Sequence, residues 1–480
     1  MTGEACLLTE RQDAAVIGGG IAGLVTANRL AQLGIDVVVL EQGREEHYLC
    51  NTRYTGGTFH LCLLNIMKDE STLKQAIIAL TGGFVSETLA AALALDGRRA
   101  VRWLRDEGIR FMKASGADVH SWVLSPPSRN RPGLDWKGRA GDVLLRTLEA
   151  NLIRRGSSVQ RNTRALSLII EGGVCKGVVA QQGEHDVRYL ANAVVIADGG
   201  FQGNAALVKQ YICAYPERLK QRGAGTGRGD GVEMAMAIGA KLVGMDGFFG
   251  HVMSRDAMTN DKLWPYPYGD SLATAGIVVG PTGERFADEG RGGVYLANAI
   301  AGLADPFSAT IIFDHAIWEG PARHGFIPAN PHLPAVGGTL IRADNLEGLA
   351  RELHIPPSGL VDTVQAYNAA ISSDKLKSLA PPRLTSRYSA RPIATAPFYG
   401  IPACAGITNT MGGIAINEHS QALRKDDSAI PGLYVAGAAT GGLEGGPELG
   451  YVGGLTICGV TGLRAAEHIA RSRGVTSVQG

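Results

Sequence analysis

Val16-Ile-Gly-Gly-Gly-Ile-Ala-Gly-Leu24 follows the apolar run Ala14 to Ile17 and opens a helix-like segment that runs to Gly34. The stretch reads as a strand, a glycine turn and a helix N-terminus, the entry to a Rossmann-type βαβ unit. Gly18 permits the tight turn, Gly20 lets the backbone approach a pyrophosphate, and Gly23 lets the helix pack on the strand. The pyrophosphate would sit on unpaired N–H groups at the positive end of the helix dipole. Val37-Val-Val-Leu-Glu41 adds a second apolar strand, ending in an acid about 20 residues on, where a ribose hydroxyl would lie. A glycine turn without a ligand would leave that acid unexplained.

The chain has 480 residues, enough for two or three domains, or for one large domain carrying an insertion. Its charges nearly cancel, 46 Lys+Arg against 45 Asp+Glu, and no block of like charge suggests a nucleic-acid groove. The 65 glycines are nearly double the usual share of about 7% and gather in four clusters, so backbone is expected to approach a ligand closely in several places. The cysteines (Cys6, Cys50, Cys62, Cys175, Cys213, Cys404, Cys458) are odd in number and form no Cys-x-x-Cys pair, which argues against a disulfide framework or a redox dithiol. Acids at Glu4 and Glu10, with no long apolar stretch ahead of the first strand, give neither a signal peptide nor a membrane span. The expectation is a cytoplasmic protein that binds no nucleic acid.

Further strand-turn-helix signals recur along the chain. A helix is expected near Gly141 to Arg155, then short β-type runs at Ala165 to Ile170 and Gly177 to Ala180. The strand Ala193-Val-Val-Ile-Ala197 runs into Asp198-Gly-Gly-Phe-Gln-Gly-Asn204, and Gly225-Thr-Gly-Arg-Gly-Asp230-Gly opens a helix over Val232 to Ile238. Asp230 would cap that helix or face a cofactor. Glycine signatures fade from about Asp246 to Ala394 and return in Ile430 to Gly437 and in Gly453-Gly-Leu-Thr-Ile-Cys-Gly, which leads a helix to Ile469. The fold class is therefore α/β, with a Rossmann-type dinucleotide-binding domain split into 1–245 and 395–480 around an inserted α+β capping domain, 246–394.

These segments resemble the fumarate reductase and succinate dehydrogenase flavoprotein superfamily, which includes 3-ketosteroid 1-dehydrogenase and tricarballylate dehydrogenase. Gly283-Glu-Arg-Phe-Ala-Asp-Glu289, Thr410-Met-Gly-Gly-Ile414 and Pro431-Gly-Leu-Tyr-Val-Ala-Gly437 extend the match in order over nearly the whole chain. The resemblance implies non-covalent FAD, since the histidine that carries it in succinate dehydrogenases is not evident in Asn51 to Gly57, although His60 lies close. The residues so assigned to FAD are Gly18, Gly20, Ala22, Gly23, Glu41, Gln42, Thr55, Gly56, Gly57, Ala165, Ala197, Asp198, Asn204, Asp230, Gly437, Gly454 and Leu455. No metal is expected.

Departures from the pattern narrow the chemistry. Soluble fumarate reductases grip a dicarboxylate with histidines and an arginine, and the corresponding positions here are Asn409, Glu444 and Glu448. Carboxylates facing a dianion repel it; solvent exposure is the simpler account of both glutamates. The reductases' arginine proton donor would fall on Gly293, flanked by Arg291 and Tyr295. Arg285-Phe-Ala-Asp-Glu-Gly290 resembles tricarballylate dehydrogenase, and Leu449-Gly-Tyr451-Val-Gly-Gly454 resembles the loop in which ketosteroid dehydrogenases polarise a ketone with a tyrosine and a backbone N–H. Tyr295 would be that family's proton-removing tyrosine, at a spacing from Glu289 two residues longer than usual.

The expected activity is an FAD-dependent desaturase acting on a cyclic ketone, of small oxo-cyclohexane or ketosteroid type. A base removes the α-proton, the enolate charge is held, and hydride passes to flavin N5. Tyr451, Tyr295 and Arg291 are the catalytic candidates; Tyr295 fits a core or lid aromatic equally well, and His251 a cavity-lining or a structural histidine. Met234, Met236 and Met245 read as core. A tricarballylate-type dehydrogenase or a fumarate-reductase-like ene-reductase is the alternative enzyme, with oxygen, a quinone or a carrier protein as electron acceptor. A non-redox binding protein on the flavin fold would predict a damaged cofactor site, whereas every glycine turn is present.

Overall fold

Residues 8–475 are described in the computed structural model, except 130 and 326; Glu4 and Cys6 lie outside that set. Val37–Leu40 is four apolar residues, all buried, and it pairs in parallel with Leu8–Ile17 on one side and Ser158–Gln160 on the other. A strand buried on both faces requires helices above and below, and the β-branched run Val-Val-Val suits it. The sheet has eight strands, with Gln421–Leu423, Ala429–Val435, His185–Ile196, Leu8–Ile17, Val37–Leu40 and Ser158–Gln160 in that spatial order. The hairpin Thr163–Glu171 and Val174–Gln182 joins it through His185–Ile196. Strands from residue 8 and from residue 429 thus share one sheet, with the rest of the chain looped out between them.

One strand runs longer than the apolar pattern suggests. Leu8–Ile17 begins with the polar Thr9-Glu-Arg-Gln12, which stays extended because Leu8 to Gln12 pair in register with Val187 to Ala191 of the neighbouring strand. Pairing overrides composition at a partly exposed strand end. The expected helices appear as Ile21–Gln32, Ala140–Arg154, Asp230–Ala237 and Gly454–Ser472. Ile21–Gln32 and Gly454–Ser472 approach closely, since a Cβ on Gly462 would stand 2.9 Å from the Ala22 carbonyl oxygen. Of the three methionines read as core, Met234 and Met245 are buried and Met236 is exposed.

A second sheet of six strands is organised around Phe398–Thr410, which pairs antiparallel with Phe248–Ser254 and Thr310–Asp314; Ile277–Val279 continues beyond the latter. Ile341–Ala343 and the short parallel strand Lys220–Gln221 also join Phe398–Thr410. Arg285-Phe-Ala-Asp-Glu289 ties this region together: Arg285 meets the fully buried Glu289 at 2.6 Å, and Glu289 also accepts the Val278 N–H at 3.1 Å. Such a knot fixes a loop against a sheet edge and leaves none of its charge for substrate.

Candidate active site

Between the C-terminal ends of the parallel strands lies a cleft lined by Gly18, Gly20, Ala22, Glu41, Gln42, Ala165, Ala197, Asp198 and Asp230. Gly18 adopts φ +102°, and a Cβ there would meet the Ala197 carbonyl oxygen at 2.6 Å. Gly23 packs inward instead, where a Cβ would stand 1.9 Å from the Gly18 oxygen. The turn therefore tolerates no side chain at either position. Glu41 is buried and accepts the Gly19 N–H at 2.8 Å and the Gly43 N–H at 2.7 Å. Each of its oxygens keeps a lone pair for a hydroxyl. Burial pushes its carboxyl above the ordinary value against the pull of those two N–H groups.

The cleft fits a dinucleotide on independent grounds. Asp198 Oδ1 and Gln202 Oε1 are buried acceptors without a partner, and both residues line it. Asp198 Oδ2 accepts the Gly231 N–H at 2.7 Å, while burial pushes the carboxyl up to about 7. A protonated Asp198 would donate to a bound hydroxyl, as its orphaned oxygen requires. The helices Ile21–Gln32 and Gly454–Ser472 both begin at glycines, Gly20 and Gly453, that supply no side-chain cap, and their first N–H groups go to Thr52 and to the Tyr451 hydroxyl.

Other assigned residues fall elsewhere. Asn204 caps the helix Ala205–Tyr211 by accepting the Ala206 and Leu207 N–H groups, and its amide donates to the Arg228 carbonyl. That commitment is local, and Asn204 is not among the residues lining the cleft. Asp230 is not a cap; it takes a bidentate pair from Arg164 at 2.7 and 2.8 Å on the cleft rim. Gly437, at φ +70°, leaves room for Ala22, and its N–H donates to Thr461. Asn51, Thr52, Gln202 and Thr226 also line the cleft. Thr52 accepts the Ile21 N–H at 3.1 Å, a contact that only the folded loop reveals.

Thr55, Gly56, Gly57 and Leu455 line a separate cavity of about 1010 Å³ beside the second sheet, with Tyr451, Tyr295, Arg291 and His251 in its wall. Tyr451 stacks on Phe249 with ring centroids 3.7 Å apart, and its hydroxyl accepts the Gly454 N–H at 3.1 Å. Burial, then the nearby Glu444, drive this phenol well above its ordinary value, so it is a fixed O–H donor at neutral pH. Accepting from Gly454 strengthens that donor.

Arg291 lies over the Tyr295 ring at 3.8 Å and meets Glu448 at 3.0 Å. Glu448 is exposed, as expected, but Glu444 is not. Glu444 accepts the Val452 N–H at 3.2 Å beneath the Tyr451 loop, and burial raises its carboxyl to about 7 against Val452, Gly453 and the Asn409 side chain. Two departures from the reductase pattern, Asn409 and Glu444, therefore bind each other. The correction is physical: a glycine loop that closes over a carboxylate hides it, which composition does not reveal.

Gly293, the position of the reductases' arginine, faces Asp270, whose carboxylate would stand 2.0 Å from a Cβ there. Asp270 in turn meets His251 Nδ1 at 2.6 Å and accepts the Val252 N–H at 2.9 Å. His251 stacks on Tyr268 at 4.4 Å. Burial lowers its imidazole from the ordinary value, with Asp270 opposing. His60 accepts the Leu63 N–H at 3.1 Å, and burial lowers its imidazole to about 4.

A split dinucleotide fold that faces a second sheet across an aromatic cavity is that of an FAD-binding protein. The chain belongs to the FAD_binding_2 family, described as FAD binding domain, which matches residues 13–452. It is 28% identical over 380 residues to NADH:acrylate oxidoreductase of Vibrio harveyi, covering 75% of this chain and 35% of the relative. It is 25% identical over 476 residues to vinyl phenol reductase of Lactiplantibacillus plantarum, covering 91% of this chain and 92% of that one. The chain thus spans about a third of the first relative and nearly all of the second. Its fold superposes on 3-ketosteroid delta1-dehydrogenase from Sterolibacterium denitrificans with a TM-score of 0.73 at 20% identity, over 96% of this chain and 100% of that one. No helix among the described residues is long and apolar enough to cross a membrane.

Proposed function

We propose that the chain desaturates a cyclic, carbonyl-activated substrate at the carbons α and β to the carbonyl, with FAD held non-covalently. The observation that carries this reading is the Tyr451 hydroxyl beside the Gly454 N–H at the cavity wall. The Gly454 N–H holds the phenol oxygen and leaves the phenol O–H as a polarised donor in the cavity wall, which is what a developing enolate needs. FAD, when bound, supplies the hydride acceptor. Tyr295, under the Arg291 guanidinium in the cavity wall, takes the α-proton in this reading. Glu41, Asp198 and the glycine turn hold the nucleotide. His60, tied to Leu63 and set edge-on to Tyr451, supports non-covalent attachment. The parallel sheet, with strands from residue 8 and from residue 429, supports a cofactor-binding unit of 1–245 and 395–480 around a capping unit of 246–394, with Phe398–Thr410 and Lys220–Gln221 crossing from the former into the second sheet.

The reverse reaction, reduction of an alkene conjugated to an aryl or carbonyl group, is the second reading, favoured by the near full-length likeness to vinyl phenol reductase. Anaerobic titration of the FAD absorbance distinguishes them. Bleaching by a saturated cyclic ketone, lost in Tyr451→Phe, supports desaturation. Reoxidation of dithionite-reduced FAD by 4-vinylphenol, with no bleaching by ketones, supports reduction.

A further inference from the structure

Arg222 is a buried cation without a counter-ion. It is 7% exposed, its terminal nitrogens donate to Thr408 Oγ1 at 2.6 Å and the Pro265 carbonyl at 3.2 Å, and Nε has no partner. No carboxylate among the described residues stands within salt-bridge distance of it. The nearest influential one, Asp270, is held by His251 and the Val252 N–H. A buried guanidinium satisfied only by neutral oxygens is costly unless an anion joins it.

The fold has made room for this side chain. Lys220–Gln221 pairs with Gly406 and Ile407, and the Arg222 N–H extends the pairing to the Ile407 carbonyl at 2.7 Å. A Cβ on Gly406 would stand 2.5 Å from Arg222 Cδ, so the glycine in the central strand is what admits the arginine stem. His251 pairs with the same Gly406 from the opposite side. Along the wall, His251 meets Phe249 edge-on at 5.2 Å and Phe249 stacks on Tyr451 at 3.7 Å. Arg222 and Tyr451 therefore mark two polar poles of one cavity, joined by aromatic rings.

We propose that Arg222 is the carboxylate-binding residue of this cavity, so that the substrate is a small six-membered-ring acid carrying a carboxylate across the ring from the oxygen that Tyr451 holds. This rests on the carbonyl reading above. It narrows the substrate from ketones in general to oxo-acids, and it gives the buried cation its anion only when substrate is present. A planar ring between the two groups would lie along the aromatic wall.

Binding to the FAD-loaded enzyme tests it, using 4-hydroxybenzoate, which cannot be dehydrogenated further, and its uncharged counterpart 4-hydroxybenzamide. Calorimetry and the shift of the flavin absorbance read the affinity. The wild type is expected to prefer the carboxylate by about 30-fold or more, the scale of a desolvated charge pair. Arg222→Met should abolish that preference while leaving amide affinity and FAD content unchanged, and Arg222→Lys should restore part of it. A wild type without preference, or an Arg222→Met that keeps it, overturns the proposal. Should Arg222→Met lose FAD, Thr408→Val, which removes the hydroxyl that holds the guanidinium, decides: a reduced preference supports the site and an unchanged one overturns it. Neutral 2-cyclohexenone separates the two readings, because its binding answers to Tyr451 and not to Arg222.

Discussion

The Gly454 N–H, at the start of the last long helix, donates to the Tyr451 hydroxyl across 3.1 Å. A substrate oxygen at the cavity wall would meet the phenol O–H, whose oxygen the N–H holds. Tyr451→Phe removes that donor, and k for flavin reduction by a ketone is expected to fall about 100- to 1000-fold, the loss typical of one oxyanion donor. FAD content should not change. Stopped-flow absorbance under anaerobic conditions measures the first, and the ratio of flavin to protein absorbance the second.

Glu41 holds two backbone N–H groups of the nucleotide turn, at Gly19 and Gly43. Glu41→Ala leaves both unsatisfied and removes an acceptor for the ribose, a loss of about 2 kcal/mol or more in FAD binding, equivalent to roughly 30-fold in Kd. Protein purified without added FAD should be largely colourless, and fluorescence titration with FAD should give the weaker constant.

The buried Glu444 carboxyl, raised from 4.5 to about 7, gives stability a defined pH dependence. Below about 4.5 it is protonated in both the folded and the unfolded chain. As pH rises towards 7 the unfolded chain releases the proton first, so stability contributed by the protonated form is lost, by about 3 kcal/mol once pH exceeds 7. Glu444→Gln should remove this fall. The difference in urea-unfolding free energy between variant and wild type should therefore grow in favour of the variant from pH 4.5 to 7 and then level off.

Arg285 and Glu289 form a buried pair that touches no substrate in this reading. Arg285→Met leaves the Glu289 carboxylate, at 0% exposure, with the Val278 N–H and the more distant Arg383 at 3.8 Å, and is expected to cost about 3 kcal/mol. The double variant Arg285→Met/Glu289→Gln should recover much of that. Urea melts of the four members of the cycle give the coupling directly.

The nucleotide cleft was legible in the sequence because its logic is local: glycines at turn spacing, then an acid at the end of the next strand. Gly18, Gly20 and Glu41 needed no tertiary information. Asn204 is ambiguous for the same reason, since a residue type suited to a ligand is equally suited to the helix cap it forms here. Arg222 and Asp270 carry no local signal. They come to one cavity only when Phe398–Thr410 brings Lys220–Gln221 and Phe248–Ser254, whose His251 and Val252 hold Asp270, to its two edges. Glu444 was read as exposed because burial by a loop of glycines has no hydrophobic signature, and Asn409, which neighbours it, lies far off in sequence on Phe398–Thr410.

Phe398–Thr410 is also a girder. Its middle carries the second sheet, while near its end the Thr410 hydroxyl accepts the Phe201 N–H and the Thr408 carbonyl accepts the Asn51 amide, both beside the nucleotide cleft. A displacement of the cap is therefore transmitted along this strand to the cleft that holds the cofactor. Any widening of the substrate cavity has to pivot about the girder, with the freest movement at the side farthest from Thr410.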